Sequence, residues 1–238
     1  MTHQIRYSAQ THVGLRRKLN EDAILALPEA NIWVVSDGMG GHEAGDYASQ
    51  LITSTIAAIP PDIPPRQRME ALREALHQAH AAILYETEQR NADMIGATVA
   101  SLILADGHFA AIWAGDSRVY RLRGGEIQLL TTDHSYVAAL VEDGRLTWDE
   151  AEQHPQSNQI TRAVGVGDFL ELDKVRGEIR RGDRFLLCSD GLNKYATFDI
   201  LQHALSTQPL ETVVEHLIQI ALAGGGADNI SVIVVDVR

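Results

Sequence analysis

The chain has 238 residues, 45% apolar and 22% charged, enough for one large soluble domain or two small ones. Its 20 basic and 32 acidic residues leave a formal charge of -12, which argues against nucleic acid as a partner and suits clustered carboxylates that hold cations. The one cysteine, Cys188, excludes an intrachain disulfide and fits a reducing cytoplasm; no signal peptide or membrane span is predicted.

In chain order, "AILAL" (23–27) and "NIWVVS" (31–36) read as strands, followed by the glycine-rich "DGMGGHEAG". Helical spacing then runs from Ala44 to Ile59. After the proline cluster "IPPDIPP" it resumes from Arg66 to Glu88, with Met69, Leu72, Leu76 and Ile83 on one face. "ATVASLIL" (97–104) and "FAAIWAG" (109–115) form a hairpin across Asp106-Gly107, and "RVYRLR" (118–123) continues the succession. From Ser135 to His154 lie two short helical pieces joined at Asp143-Gly144, the second opened by the capping box "TWDE"; this is a small, mobile insertion between strands, spanning about 135–160. "DRFLLCS" (183–189) is a strand, Leu210–Leu222 a helix stopped by three glycines, and "ISVIVVDV" (230–237) a last strand. Strands grouped together and helices grouped apart predict a single α+β layered domain over 1–238 with mostly antiparallel sheets.

An acid beside glycine recurs at the strand ends. "IWVVSDG" ends at Asp37, "AAIWAGDS" at Asp116 and "FLLCSDG" at Asp190, while "GGGADN" places Asp228 just before the last strand. Any one of these reads as an ordinary turn, as Asp106-Gly107 and Asp143-Gly144 do. Four repeats of one pattern point instead to carboxylates converging on one rim of the sheets. Unpaired carboxylates at close range repel one another, so either a cation neutralises them or their pKa values rise. An oxygen-only donor set without zinc-spaced His or Cys suits Mg²⁺ or Mn²⁺, and two such ions bridged by one aspartate can activate water and clamp a phosphoryl group. Arg17, four residues before Glu21 and five before Asp22, offers a guanidinium fork for phosphate oxygens; standing alone, the stretch reads equally as a surface ion-pair run. Cys188, inside a strand, reads as core rather than nucleophile.

The segments "GLRRKLNEDA", "VSDGMGGHEAG", "GATVASLIL", "WAGDSRVYRLR", "TTDHS", "ITRAVG", "LLCSDGL" and "GGADNISVIVVDV" occur in the order found in the metal-dependent serine/threonine protein phosphatases of type 2C, and nearly the whole chain resembles that family's compact bacterial kind. The resemblance implies a four-layer α-β-β-α sandwich, two central antiparallel sheets flanked by helices, with a flap at the insertion. It implies a centre of two Mn²⁺ or Mg²⁺ ions, bridged by Asp37 and completed by the Gly38 carbonyl, Asp190 and Asp228. Glu21 and Asp22 would orient water, and Arg17 would bind the substrate phosphate. Direct hydrolysis of phosphoserine and phosphothreonine in proteins, without a phosphoenzyme, would follow.

Two positions depart from the pattern. Met39 stands where some members carry a proton-donating histidine, leaving His42 as the candidate general acid beside a structural role. Lys194 stands where many members have an acid, so Asp116 is a candidate ligand of a third ion whose site is either lost or replaced by the lysine charge. "NKY" (193–195) resembles phosphatases that oppose kinases in type VI secretion. The implied partners are phosphoproteins, including a bacterial Ser/Thr kinase or its substrates, acted on by a cytoplasmic monomer. The alternatives are a non-catalytic phosphoprotein-binding regulator and a metal-dependent hydrolase of another phosphoester.

Overall fold

The computed structural model describes residues 4–40 and 44–238. From the N-terminus come β1 (Ile5–His12), β2 (Asp22–Leu27) and β3 (Ile32–Met39), then helix α1 (Ala44–Ala57), a 3-10 turn at Pro65–Gln67 and α2 (Arg68–Arg90). Strands β4 (Gly96–Ala97), β5 (Val99–Ala105), β6 (His108–Ala114), β7 (Arg118–Arg123) and β8 (Glu126–Leu129) follow. The short helices α3 (Tyr136–Glu142) and α4 (Trp148–Ala151) precede β9 (Asp173–Glu178) and β10 (Arg184–Cys188). The chain ends with α5 (Asp190–Asn193), α6 (Phe198–Thr207), α7 (Leu210–Gly224) and β11 (Ile230–Val237).

Two antiparallel sheets form, in the orders β1-β11-β10-β7-β8 and β2-β3-β5-β6-β9, with β4 added beside β3. Three separate apolar cores hold four layers together. Ile32 and Val34 on β3 pack beneath α1 and α2, while their neighbours Trp33 and Val35 face the opposite sheet. On β11, Ile230, Val232 and Val234 pack on α6 and α7, and Ile233, Val235 and Val237 fill the inter-sheet core. Side chains alternate along a strand, so a strand buried on both faces must be apolar at nearly every position. Each fully buried Val, Leu or Ile contributes roughly 1.5–3 kcal/mol, more than an exposed ion pair, so these cores set the layering.

The layered sandwich agrees with expectation, and so do the α1, α2 and α7 regions. The hairpin at Asp106-Gly107 also forms, both residues having positive φ. Three details differ. The run 97–104 is broken at Thr98, whose side chain is turned to other use. β7 does not continue the β5–β6 hairpin; the chain crosses at Gly115–Ser117 to the other sheet, where β7 pairs with β8 and β10. β1, β8, β9 and α6 add to the elements expected from the sequence. The insertion forms two short helices as expected, with the Thr147–Glu150 capping box in place, and is closed at its base by a bridge between Ser135 and Ile160.

Candidate metal centre

The acid-bearing strand ends meet at one end of the sandwich. Asp37 and Gly38 come from β3, Asp116 from the crossing after β6, Asp190 from the start of α5, and Asp228 from the residues before β11. They line a cavity of about 150 Å³ together with Arg17, Glu21, Met39, Thr98 and Asn229, while Asn158 and Ile160 of the insertion form one wall. Asp22 is not in the lining. It lies beneath it, opposite Asp37 in the β2–β3 register, where its carboxylate accepts a 2.7 Å hydrogen bond from Ser189 of the other sheet.

Burial and mutual repulsion govern the charge state. Burial raises the Asp37 carboxyl well above the ordinary range, and Asp22, Asp190, Asp116 and Asp228 push it further. Asp116 is raised for the same reasons, with Asp190 its strongest neighbour. Burial lifts Asp190 to about 6 with help from Asp228, and Asp22 to about 7 against hydrogen bonds from Ser231 and Ser189. Lys194, exposed just after α5, works the other way on Asp190. Two buried carboxylate oxygens, Asp22 Oδ1 and Asp190 Oδ1, have no hydrogen-bond partner. Unsatisfied buried acceptors with held protons are what a cation would relieve, and the oxygen-only set fits a hard divalent ion. Among the described residues no three His, Cys, Asp or Glu side chains close around a single point, so the carboxylates share one cavity without forming a tight ligand cage.

The surrounding backbone is tightly fixed. Thr98, in the break between β4 and β5, donates its N–H to the Asp37 carbonyl at 2.8 Å and accepts the Asp37 N–H on Oγ1 at 3.0 Å. Gly38 donates to the Glu21 carbonyl, and a Cβ on Gly38 would stand 2.0 Å from the Gly45 carbonyl oxygen, so only glycine lets α1 approach here. Gly191 is constrained likewise, its Cβ position lying 2.0 Å from the Asn229 carbonyl oxygen.

Asn229 uses every group of its amide. Nδ2 donates to the carbonyls of Val13 at 2.9 Å and Leu19 at 3.0 Å, and Oδ1 accepts the Glu21 N–H at 2.8 Å. This clamp closes the loop that carries Arg17, whose Nη2 donates to Asp228 Oδ2 at 2.8 Å. The Asp228 partner holds the guanidinium pKa up.

A second cluster ties the insertion to this end. The buried Arg118 donates to both oxygens of Asp133, through Nε at 2.9 Å and Nη2 at 2.6 Å. Its Nη2 also meets Glu152 at 2.6 Å, its guanidinium lies 4.7 Å over the Trp148 ring, and Nη1 reaches the Tyr120 hydroxyl. Tyr120 in turn donates to Asn193 on α5, the helix that begins with Asp190.

The structure thus brings Arg17, Glu21, Asp37, Gly38, Asp116, Asp190 and Asp228 into one cavity and sets Asp22 under it. His42 lies outside the described residues. Sequence reasoning passes over Thr98, Arg118 and Asn229. The pairing of Asn229 with Asp228 in "GADNIS" is a usable signal for the last; a buried arginine at a strand start gives none.

Residues 13–225 match the protein phosphatase 2C family, and the chain belongs to that family, whose members are metal-dependent. It is 38% identical over 98% of its length to the serine/threonine protein phosphatase PstP of Mycobacterium tuberculosis, of whose length it spans 45%. It is also similar to PppA, described as a key regulatory component of T6SS in Pseudomonas aeruginosa, with TM-score 0.92, 42% identity and 98% of each chain covered. The catalytic domain of PstP solved with two manganese ions superposes with TM-score 0.89 at 36% identity, over 99% of each chain.

Proposed function

We propose that residues 1–238 act as one catalytic domain that hydrolyses phosphoserine and phosphothreonine in proteins. The observation that carries this is the convergence of Asp37, Asp116, Asp190 and Asp228 on one cavity with Arg17 at its side. Asp37, the Gly38 carbonyl, Asp190 and Asp228 are the groups that would hold two Mn²⁺ or Mg²⁺ ions. When bound, such ions polarise the phosphoryl oxygens and make water acid enough to supply hydroxide near neutrality. Glu21 orients that water, and Asp22 acts from below through its unpartnered Oδ1. Arg17 exchanges Asp228 for the phosphoryl oxygens, aligning the ester and spreading the charge that develops on it. Met39 lines the cavity and has no proton to give the leaving oxygen. Asp116 is the ligand available to a third ion, and Lys194 offers a fixed charge in its place.

The likeness to PppA supports phosphoproteins of type VI secretion control as substrates; we propose besides that the protein opposes a bacterial Ser/Thr kinase and acts as a cytoplasmic monomer. No described helix is long and apolar enough to cross a membrane. The test is Mn²⁺- or Mg²⁺-dependent release of phosphate from phosphothreonine peptides, abolished by Asp37→Asn and by Asp190→Asn. Metal-loaded protein that hydrolyses nothing, or variants with full activity, would overturn the reading in favour of a non-catalytic phosphoprotein binder or a hydrolase of another phosphoester.

A further inference from the structure

The loop Leu15–Leu19 has an unusual surface. All five side chains, Leu-Arg-Arg-Lys-Leu, are exposed, Leu15 by 61% and Leu19 by 41%. The backbone beneath them is not free. The Leu15 N–H donates to the Gly226 carbonyl at 2.7 Å, and Asn229 clamps Val13 and Leu19. A rigid loop that presents two leucines to water at the mouth of a site is a recognition surface rather than a packing element.

Its charge points to the same use. Three of the chain's 20 basic residues fall in these five positions, in a protein of formal charge -12. Among the described residues Arg17 is the one cation lining the cavity, and it pairs with Asp228. Among the described residues Arg16 and Lys18 form no ion pair, so their charge is left to the solution on either side of Arg17. The lining that the insertion supplies, Asn158 and Ile160, carries no charge. A local positive field on an otherwise negative protein attracts anionic chain segments and fixes their orientation.

We infer that the Leu15–Leu19 loop is a substrate-docking lip that selects phosphorylated segments with acidic side chains beside the phosphoresidue, Arg16 and Lys18 meeting the acids and Leu15 and Leu19 covering an adjacent apolar side chain. The inference rests on the proposed phosphatase activity and names the substrate class that activity prefers.

The test compares three Mn²⁺-dependent reactions: p-nitrophenyl phosphate, a phosphothreonine peptide flanked by Asp and Glu, and the same peptide flanked by Lys. Wild type favours the acidic peptide, and the preference shrinks as salt rises from low ionic strength to about 0.5 M, because exposed charges are screened. Arg16→Glu/Lys18→Glu lowers kcat/KM for the acidic peptide about tenfold and reverses the preference, because two exposed attractive charges become repulsive. It leaves p-nitrophenyl phosphate within about twofold, since neither residue lines the cavity. Leu15→Ser/Leu19→Ser weakens both peptides alike and spares the small substrate. Equal losses on acidic and basic peptides in the charge-reversed variant, or a parallel loss on p-nitrophenyl phosphate, overturn the assignment. Wild type that hydrolyses all three without preference overturns it alone, whereas wild type inert towards all three overturns the hydrolytic reading beneath it.

Discussion

Arg118 is met by two carboxylates, and the structure makes them unequal. Asp133 gives two oxygens to the guanidinium fork and is nearly inaccessible, so it already neutralises the arginine. Glu152 adds a 2.6 Å contact with a side chain 15% exposed, yet burial lifts its carboxyl from an ordinary 4.5 to about 7, and repulsion by Asp133 and Asp190 adds to this against the pull of Arg118. Distance alone makes the contact an ion pair, whereas the raised pKa says the second charge costs more to bury than Arg118 returns. The burial cost prevails because the arginine is already paired.

A carboxyl raised from 4.5 to about 7 contributes its full stability below 4.5 and loses it as pH rises through 7. That interval corresponds to about 3 kcal/mol, taken as a ceiling. Glu152→Gln keeps an acceptor for Arg118 without the charge. In chelator it should match wild type near pH 4.5 and exceed it at pH 8 by about 2–3 kcal/mol, or roughly 4–12 °C in Tm for a chain of this size. Asp133→Asn strips Arg118 of its main partner and should cost about 3–5 kcal/mol at both pH values. Thermal unfolding followed by circular dichroism measures both. A Glu152→Gln variant less stable than wild type at pH 8, or one whose difference from wild type does not change with pH, refutes the reasoning.

Three further outcomes are expected. Asn229→Ala removes three hydrogen bonds and should cost about 2–4 kcal/mol while raising KM for phosphopeptides, because the Arg17 loop is released; calorimetry and steady-state kinetics on one preparation test both. The raised carboxyls destabilise the chelated protein as pH climbs through about 6 at Asp190 and about 7 at Asp22, so Mn²⁺ should raise Tm more at pH 8 than at pH 5; equal shifts would mean the carboxylates are not its site. Gly191→Ala would press a methyl group against the Asn229 carbonyl at 2.0 Å and should lower Tm sharply or abolish soluble expression, whereas a variant with unchanged Tm would contradict the close approach.

Strands buried on both faces, such as the Val232–Val235 part of β11, are plain in the sequence because two cores demand apolar residues at every step. Edge strands are not. Ile5–His12 and Asp173–Glu178 each pair on one side only, so half their positions need not be apolar and the pattern fades. The rim of aspartates is legible because an acid beside glycine ends three strands and a fourth acid directly precedes the last one. The groups that aim those aspartates are harder to see: Thr98 acts through a strand break, and Arg118 draws its partners from an insertion. The crossing from β6 to β7 resembles a hairpin in sequence because a short turn looks the same whether the next strand joins the same sheet or the opposite one.

The pairing of β11 between β1 and β10 also bears on when the cavity comes into being. The Arg17 loop is closed by a side chain more than two hundred residues later, and one carboxylate of the cavity directly precedes β11. The β2-β3-β5-β6-β9 sheet can form beneath α1 and α2 during synthesis, but the five-stranded sheet lacks an interior strand until residues 230–237 emerge. Such long-range closure is slow and comes late. A nascent chain therefore lacks the assembled cavity until that strand is inserted, and a fragment cut short before it would be unable to perform the proposed reaction, however completely its helices had formed.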